Sequence, residues 1–415
     1  MNNTLFYIDE LTKEKMTYNK LISSLKKVKT YNPYCKSESY TNIFVRIVLS
    51  MLLGKEIILL DSDFSKEEIK NLTGKNTDFK NFDQPITENL ENLTLQSLQE
   101  HLFLYQDTWK ITLFTSGTTG IPKKISHTLS SISRFVKKSE RHTNDIWGFA
   151  YNPTHMAGLQ VFFQALLNGN PIIRLFGMKR ENILKNIQQH KVTHISATPT
   201  FYRLLLPADH ICNSVQRLTS GGEKFDLHTS GLLHHMFPRA KYTNIYASTE
   251  AGTLFASKGD IFNIKPGMKN LFKLIDNELY LHRSLMGISE SIQLNGDWYA
   301  TGDLIKVISE NPFTFKFISR KNEMINVGGY KVNPNEVEEA IRTYPDVQDV
   351  FIYGKKNRLL GNIICGEVVC RNPEIKETVL RNYLATKLQE YKIPRIITFV
   401  DKLQTTRTGK ISRIK

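Results

Sequence analysis

An apolar run that stops at a loop of glycine, serine and threonine constrains this chain most. Ile111-Thr-Leu113-Phe114 leads into Thr115-Ser116-Gly117-Thr118-Thr119-Gly120, then Ile-Pro122-Lys123-Lys124. The apolar residues read as the end of a buried strand. Glycines let backbone amides approach a ligand, and successive N–H groups in such a turn form a nest for phosphate oxygens. The Ser and Thr hydroxyls and the two lysines suit the same ligand. The spacing is not that of GxxxxGK[ST], because no Ser or Thr follows a Gly-Lys pair. Taken alone, an ordinary turn accounts for the stretch equally well.

The surrounding pattern predicts layered α/β structure. Phe44–Asp61 reads as an apolar helix, a turn at Gly54 and a buried strand, whereas Gly74–Glu91 is polar and reads as a loop. Leu129–Ser139 suits a helix with Ile132, Phe135 and Val136 on one face. A helix at 161–167, a strand at 171–176, a helix at 181–190 and a strand at 192–197 then alternate, as in a doubly wound fold. Phe313, Phe315 and Phe317 alternate along an amphipathic strand. Asn333 reads as an N-cap, Pro334 as the first helical residue and Glu336 as its capping-box partner. Beyond about residue 320 the pattern becomes a small α+β unit, with strands near 350–353 and 363–369 and a helix near 377–388.

Composition narrows the function classes. Among 415 residues, Lys and Arg number 55 against 40 Asp and Glu, a formal charge of +15 that favours anionic partners. Residues 320–415 carry 18 Lys and Arg against 11 Asp and Glu. No zinc-finger spacing, RNP-like aromatic motif or basic heptad marks a nucleic-acid reader. The four cysteines lack CxxC spacing and read as reduced thiols rather than a metal or disulfide framework. There is no apolar run of membrane-spanning length, and the start lacks a basic-then-apolar leader pattern. A cytoplasmic, stand-alone protein is expected.

Three further stretches carry chemistry. Tyr242–Glu250 reads YTNIYASTE, Tyr299–Asp303 reads YATGD, and the chain ends in Thr408-Gly409-Lys410-Ile411-Ser412-Arg413. Singly, each has an ordinary reading: a helix start, a common turn and a solvated terminal lysine. Together and in this order, TSGTTGIPK, YASTE, YATGD, the Arg320–Lys331 stretch and TGKISR resemble the adenylate-forming superfamily. That superfamily comprises acyl- and aryl-CoA synthetases, peptide-synthetase adenylation domains and luciferases. The resemblance runs from about residue 100 to 413. The loop lies nearer the start than is usual in the family, so the N-terminal portion looks trimmed.

The resemblance implies roles residue by residue. Thr115, Ser116, Gly117, Thr118, Thr119, Gly120 and Lys123 would cradle ATP phosphates. Tyr246 would stack on adenine through its flat face, and Asn244 would hydrogen-bond the base. Thr249 would hold a phosphate oxygen, and Glu250 would bind Mg²⁺, a hard cation that takes oxygen ligands. Asp303 would clasp the ribose hydroxyls, with Arg320 facing ribose and phosphate. Gly221 and Gly222, followed by Glu223, occupy the small-residue stretch along which adenine and the acyl group pass. His155 and Gly158 match an H-x-x-G-like stretch lining the acyl pocket, with Ala247 and Ser248 also facing the acid. An Asp in a Phe-Asp-x-Ser stretch, the usual partner of an α-ammonium, is missing there. Burying an ammonium without a carboxylate is costly, which argues against an α-amino acid.

The implied architecture is a large N-terminal domain, 1–319, and a mobile α+β lid, 320–415, carrying the catalytic Lys410. Asn322 stands at the hinge, where the family usually has Asp or Lys. Gly328, Gly329 and Lys331 would face the thiol acceptor. The implied reaction is acyl-AMP formation with pyrophosphate release, then thioester formation. Positioning and charge stabilisation suffice, since a carboxylate is already a nucleophile. The Gly-Gly-Tyr-Lys stretch and the His155 loop lean toward CoA, as in o-succinylbenzoate- and aryl-CoA ligases. The alternatives are the phosphopantetheine of an acidic carrier protein as acceptor, or a non-catalytic nucleotide-binding homologue.

Overall fold

The apolar runs become strands, and the amphipathic stretches between them become helices covering both faces. The computed structural model describes residues 4–74, 79–115, 123–223, 227–327, 330–357, 361–372, 374–405 and 411. The fold is mixed α/β, with a large N-terminal domain and a separate C-terminal domain.

The main sheet has eight strands, in the order Gly252–Ser257, Lys241–Ser248, Arg217–Gly221, His194–Ala197, Trp147–Phe149, Ile172–Arg174, Leu5–Asp9 and Glu14–Thr17. Its six inner strands are parallel and its two outer ones antiparallel. A second sheet of four strands orders Tyr34–Lys36, Ile57–Leu60, Ile111–Thr115 and Lys123–His127. Helices Tyr40–Leu52 and Met156–Leu166 lie between the two sheets. One apolar core joins them to Phe6, Phe149 and Ile172 of the first sheet and Ile57, Leu59 and Ile111 of the second. At its centre the Phe44 and Phe162 rings stack at 4.6 Å, with Phe149 edge-on to Phe44 at 5.6 Å. Helices Arg180–Gln189, Pro199–Leu204 and Leu227–Met236 cover the outer face of the main sheet.

The strand order locates a crevice. From Trp147–Phe149 the chain crosses to Ile172–Arg174 on one side. It then returns to His194–Ala197 on the other and continues away through Arg217–Gly221. The order reverses between Trp147–Phe149 and His194–Ala197, and open α/β sheets leave a crevice beyond the carboxyl ends of such a pair.

A third, antiparallel sheet orders Ile261–Asn263, Phe313–Arg320, Trp298–Glu310, Glu278–His282 and Phe272–Ile275. The alternating phenylalanines place Phe315 in its core. The C-terminal sheet contains Tyr330–Val332, Ile325–Val327, Gly361–Cys370, Val347–Asn357 and Ile396–Phe399, backed by helices Pro334–Arg342 and Glu377–Ala385. No helix among the described residues is long and apolar enough to cross a membrane.

Two expectations change. The helix predicted over 129–139 is only Leu129–Ile132. Serine-rich sequence favours it weakly, and the Ser133 hydroxyl turns back to the Leu129 carbonyl at 2.6 Å. Gln164 then captures the backbone of Lys137, accepting from its N–H and donating to its carbonyl, both at 2.9 Å. Phe135 is left exposed rather than buried. Asn333 does cap its helix, accepting from the Asn335 amide at 3.0 Å, but Glu336 forms no capping box. Its carboxylate bonds Lys392 at 2.7 Å instead, because a charged partner outcompetes a backbone N–H.

Candidate active site

The crevice is lined by segments leaving the carboxyl ends of several strands. Trp147–Phe149 runs on to Thr154 and His155. His155 is the N-cap of helix Met156–Leu166, yet its side chain makes no capping bond. Its Nε2 lies instead 3.1 Å from Oδ2 of Asp61, just past the end of strand Ile57–Leu60 in the other sheet. Asp61 is buried, and its second oxygen accepts a hydrogen bond from the Thr154 hydroxyl. Gly158 sits one turn into the same helix, where a Cβ would lie 2.3 Å from the Asn152 carbonyl oxygen. Close backbone approach, rather than an open pocket face, accounts for that glycine.

From His194–Ala197 the chain enters helix Pro199–Leu204, and Arg217–Gly221 ends at Gly221. Gly222 has φ +83°, a conformation suited to glycine. It turns Glu223 back so that its carboxylate accepts from the Thr200 amide at 3.0 Å and from the Thr200 hydroxyl. One oxygen also accepts from the backbone N–H of Ile411 at 3.1 Å, bringing the C-terminal segment to the crevice. Arg203 makes a second bridge to the C-terminal domain, its Nε 3.1 Å from Asp349 Oδ1, which lies 3.7 Å from Arg342 Nε.

Strand Lys241–Ser248 supplies the third side. Tyr246 packs among Phe255, Phe262 and Phe317, with ring centroids 5.7, 6.1 and 6.5 Å away, and its hydroxyl donates to Asp303. Asp303 occupies a bulge. Tyr280 pairs with Ala300 and Glu278 with Leu304, so Thr301-Gly302-Asp303 loops out opposite Leu279 alone. Gly302 has φ +74°, and Glu278 accepts its N–H at 2.9 Å. Such bulges re-aim a side chain, here a carboxylate into the Tyr246 cleft. Burial pushes the Asp303 carboxyl above the usual carboxylate range, against the opposing pull of Arg320, whose Nε lies 3.0 Å from Oδ1.

Thr249 and Glu250 lie in the turn after Ser248, and their backbone is pinned. His127 Nε2 is 2.8 Å from the Thr249 carbonyl oxygen, and the Gly287 amide donates to the Glu250 carbonyl at 2.6 Å. A carbonyl only accepts, so the hydrogen-bond network places the His127 proton on Nε2 and leaves Nδ1 to accept from Ser131 at 2.7 Å. Burial pushes the His127 imidazole below its ordinary range, in keeping with that neutral form. Ser248 accepts the Ala251 amide at 3.1 Å, which tightens the same turn.

Residues 53–270, more than half of the chain, match the family described as AMP-binding enzyme, and residues 336–410 match its C-terminal domain. The chain belongs to the AMP-binding enzyme family. It is 26% identical to an uncharacterized acyl-CoA ligase of Bacillus subtilis over 73% of this chain and 64% of that protein. It is 24% identical to the 2-succinylbenzoate-CoA ligase of Bacillus licheniformis over 79% of this chain and 74% of that protein. In structure it resembles the o-succinylbenzoate CoA synthetase of Bacillus subtilis in complex with its acyl-adenylate intermediate. That match has a TM-score of 0.71 and 19% identity, over 99% of this chain and 94% of that one. An anthranilate CoA ligase in complex with anthranoyl-AMP matches with a TM-score of 0.73 and 19% identity, over 99% and 92%.

In this AMP-binding enzyme the residues expected at the site do not all gather at the crevice. His155, Gly221, Gly222, Glu223, Tyr246, Ala247, Ser248, Thr249, Glu250 and Arg320 lie at strand ends or on the segments that leave them, and Asp303 lies in the mid-strand bulge bonded to Tyr246 and Arg320. Thr115 and Lys123 pair across the stem of the glycine-rich loop, while Ser116, Gly117, Thr118, Thr119 and Gly120 lie outside the described residues. Gly328, Gly329 and Lys410 lie outside them too. Asn322 is exposed in the turn between the third and the C-terminal sheets, and Lys331 is exposed on strand Tyr330–Val332. Asn244 is buried, and its amide nitrogen donates to the Gly259 carbonyl at 2.9 Å. Sequence reasoning missed Asp61, His127, Arg203 and Asp349, which are isolated polar residues with no motif around them.

Proposed function

We propose that this enzyme activates a small carboxylic acid with ATP, releases pyrophosphate, and transfers the acyl group to the thiol of coenzyme A. The observation that carries the reading is convergence at one crevice. The Tyr246–Asp303–Arg320 cluster, the pinned Thr249–Glu250 turn and the Glu223 bond to Ile411, next to Lys410, all border it.

In the first half-reaction a carboxylate oxygen of the acid bonds to the α-phosphorus of ATP as the bond to pyrophosphate breaks. Tyr246 presents a ring face to adenine. Asp303, freed from Arg320, accepts the ribose hydroxyls. Arg320 then turns toward phosphate, and the 115–123 loop cradles the leaving group. Glu250 offers carboxylate oxygens from a fixed backbone, a donor type that fits Mg²⁺, and the metal would neutralise phosphate charge there. Lys410, the residue before the Glu223-bound Ile411, is assigned to balance charge between the acid and the α-phosphate. Glu223 therefore acts as a dock for the C-terminal segment rather than as a ligand of the nucleotide.

In the second half-reaction the thiolate sulfur bonds to the acyl carbon and AMP leaves. A large body, 1–319, and a lid, 320–415, turning about Asn322, exchange Lys410 for the Gly328–Lys331 segment at the crevice. Asp61 orients His155 over the acyl pocket and is a positioning residue for it. The relatives named for 2-succinylbenzoate and anthranilate point to an aryl acid.

The test is acid-dependent pyrophosphate release with ATP and Mg²⁺ over benzoates, succinylbenzoate, fatty acids and amino acids, alone, with CoA, and with a holo carrier protein. Release with an aryl acid, accelerated by CoA with formation of the thioester, is expected. Acceleration only by the carrier protein overturns CoA as the acceptor. Nucleotide binding without release for any acid overturns the catalytic reading.

A further inference from the structure

The amino ends of the crevice strands carry a cluster that the reaction does not use. His142 closes a short turn, Asp145 precedes strand Trp147–Phe149, and His194 opens strand His194–Ala197. His142 Nδ1 lies 2.8 Å and His194 Nε2 3.5 Å from the same oxygen, Oδ2 of Asp145. All three donor atoms lie within 4.8 Å of one another, at the end of the sheet opposite the proposed active site. We propose that His142, Asp145 and His194 form a binding site for a transition-metal dication of the zinc type, which ties together the amino ends of the two strands.

Two imidazole nitrogens and one carboxylate suit Zn²⁺, Co²⁺ or Ni²⁺ better than Mg²⁺ or Ca²⁺, which take oxygen ligands. Bonds of about 2.0–2.1 Å in a tetrahedral site put ligand atoms about 3.3 Å apart. The two contacts to Asp145 already bracket that separation, so the imidazoles need only draw toward each other. His142 is partly exposed and can turn, whereas Asp145 and His194 are buried and fixed. A surrounding shell holds the ligands. The Thr193 hydroxyl lies 2.9 Å from His194 Nδ1, which leaves Nε2 as the ligating nitrogen. The fully buried Asn170 donates to the His142 carbonyl at 2.8 Å. Arg217, paired in register with His194, is exposed, so water screens its repulsion of a cation. The partly exposed His142 side leaves room for water as a fourth ligand.

The test uses the full chain, stripped with EDTA and exchanged into metal-free buffer without nucleotide. Zn²⁺ uptake is measured against a chromophoric chelator, Co²⁺ by its d–d absorption, and the Trp147 ring, 4.9 Å from His194, serves as a fluorescence probe for Ni²⁺. One equivalent of Zn²⁺ bound at micromolar protein is expected, with a higher unfolding midpoint. His142→Ala and Asp145→Asn should lose it, while Glu250→Gln keeps it. If Asp145→Asn does not fold, His142→Ala on its partly exposed turn decides. No uptake by the parent chain, uptake unchanged in His142→Ala, or uptake lost only in Glu250→Gln would each overturn the proposal.

Discussion

Strands Trp147–Phe149 and His194–Ala197 lie side by side, and their two ends are built differently. At the carboxyl ends, polar groups take partners from other parts of the fold: His155 meets Asp61 of the second sheet, and Glu223, which also holds Thr200 beside it, accepts from Ile411 of the C-terminal segment. At the amino ends, His142, Asp145 and His194 hold one another within a short stretch of the same sheet. Loops after parallel strands splay apart where the strand order reverses, so the carboxyl end is open and must recruit partners from elsewhere. At the amino end the cluster is local, with both imidazoles drawn to one Asp145 oxygen. The Asp303–Arg320 pair, which the proposed reaction would part, borders that open end.

The variants that break this contrast are ranked by effect. Lys410→Ala should lower pyrophosphate exchange by about 10²–10³-fold, the loss typical for one donor aimed at developing charge, with the unfolding midpoint unchanged. A normal exchange rate would remove Lys410 from the chemistry. Asp303→Asn should raise the KM for ATP by roughly 10–100-fold, the worth of hydrogen bonds to a charged acceptor. Its stability should match or exceed the parent near neutral pH. A carboxyl raised by burial favours folding below its ordinary range and loses that contribution as pH rises through its folded pKa.

Asp9 sharpens the contrast from elsewhere on the same carboxyl edge. Burial acts to raise its carboxyl, but Arg174 at 2.7 Å, with the Thr12 and Leu11 amides, outweighs burial and holds it below the ordinary range. A lowered carboxyl contributes stability above its unfolded pKa and loses it as pH falls through the folded one. Asp9→Asn should therefore cost about 3 kcal/mol in urea unfolding at neutral pH, and the difference should shrink in acid. Asp61→Asn should lower kcat/KM for the acid by about tenfold, the worth of one hydrogen bond. Its effect on the KM for ATP should be small. A purely structural role would move the unfolding midpoint and both KM values together. Asp349→Asn should touch the chemistry least, shifting the overall rate by a few-fold, but it takes a carboxylate from the largely buried Arg203 and Arg342 and should cost about 1–3 kcal/mol of stability.

Much of the site was legible because its residues come in runs. Tyr246 through Glu250 and Thr301 through Asp303 are contiguous, and the glycines mark turns with positive φ, as at Gly222 and Gly302. The core strands were legible through their apolar runs, and Phe313, Phe315 and Phe317 through their alternation. The region 129–139 was not, since its conformation is decided by Gln164 on another helix. The capping box at Glu336 failed for the same reason, with Lys392 distant in sequence.

The amino-acid sequence by itself determined the α/β alternation, the turn chemistry and the order of the motifs, because backbone conformation follows from side chains within a few residues. Only the tertiary structure decided which lone polar residues matter. Asp61 meets His155, His127 meets the Thr249 carbonyl, and His194 meets Asp145 across gaps in the chain that no local pattern spans. A buried hydrogen bond depends on distance in space, and the sheet order that sets those distances is fixed by the packing of the whole core.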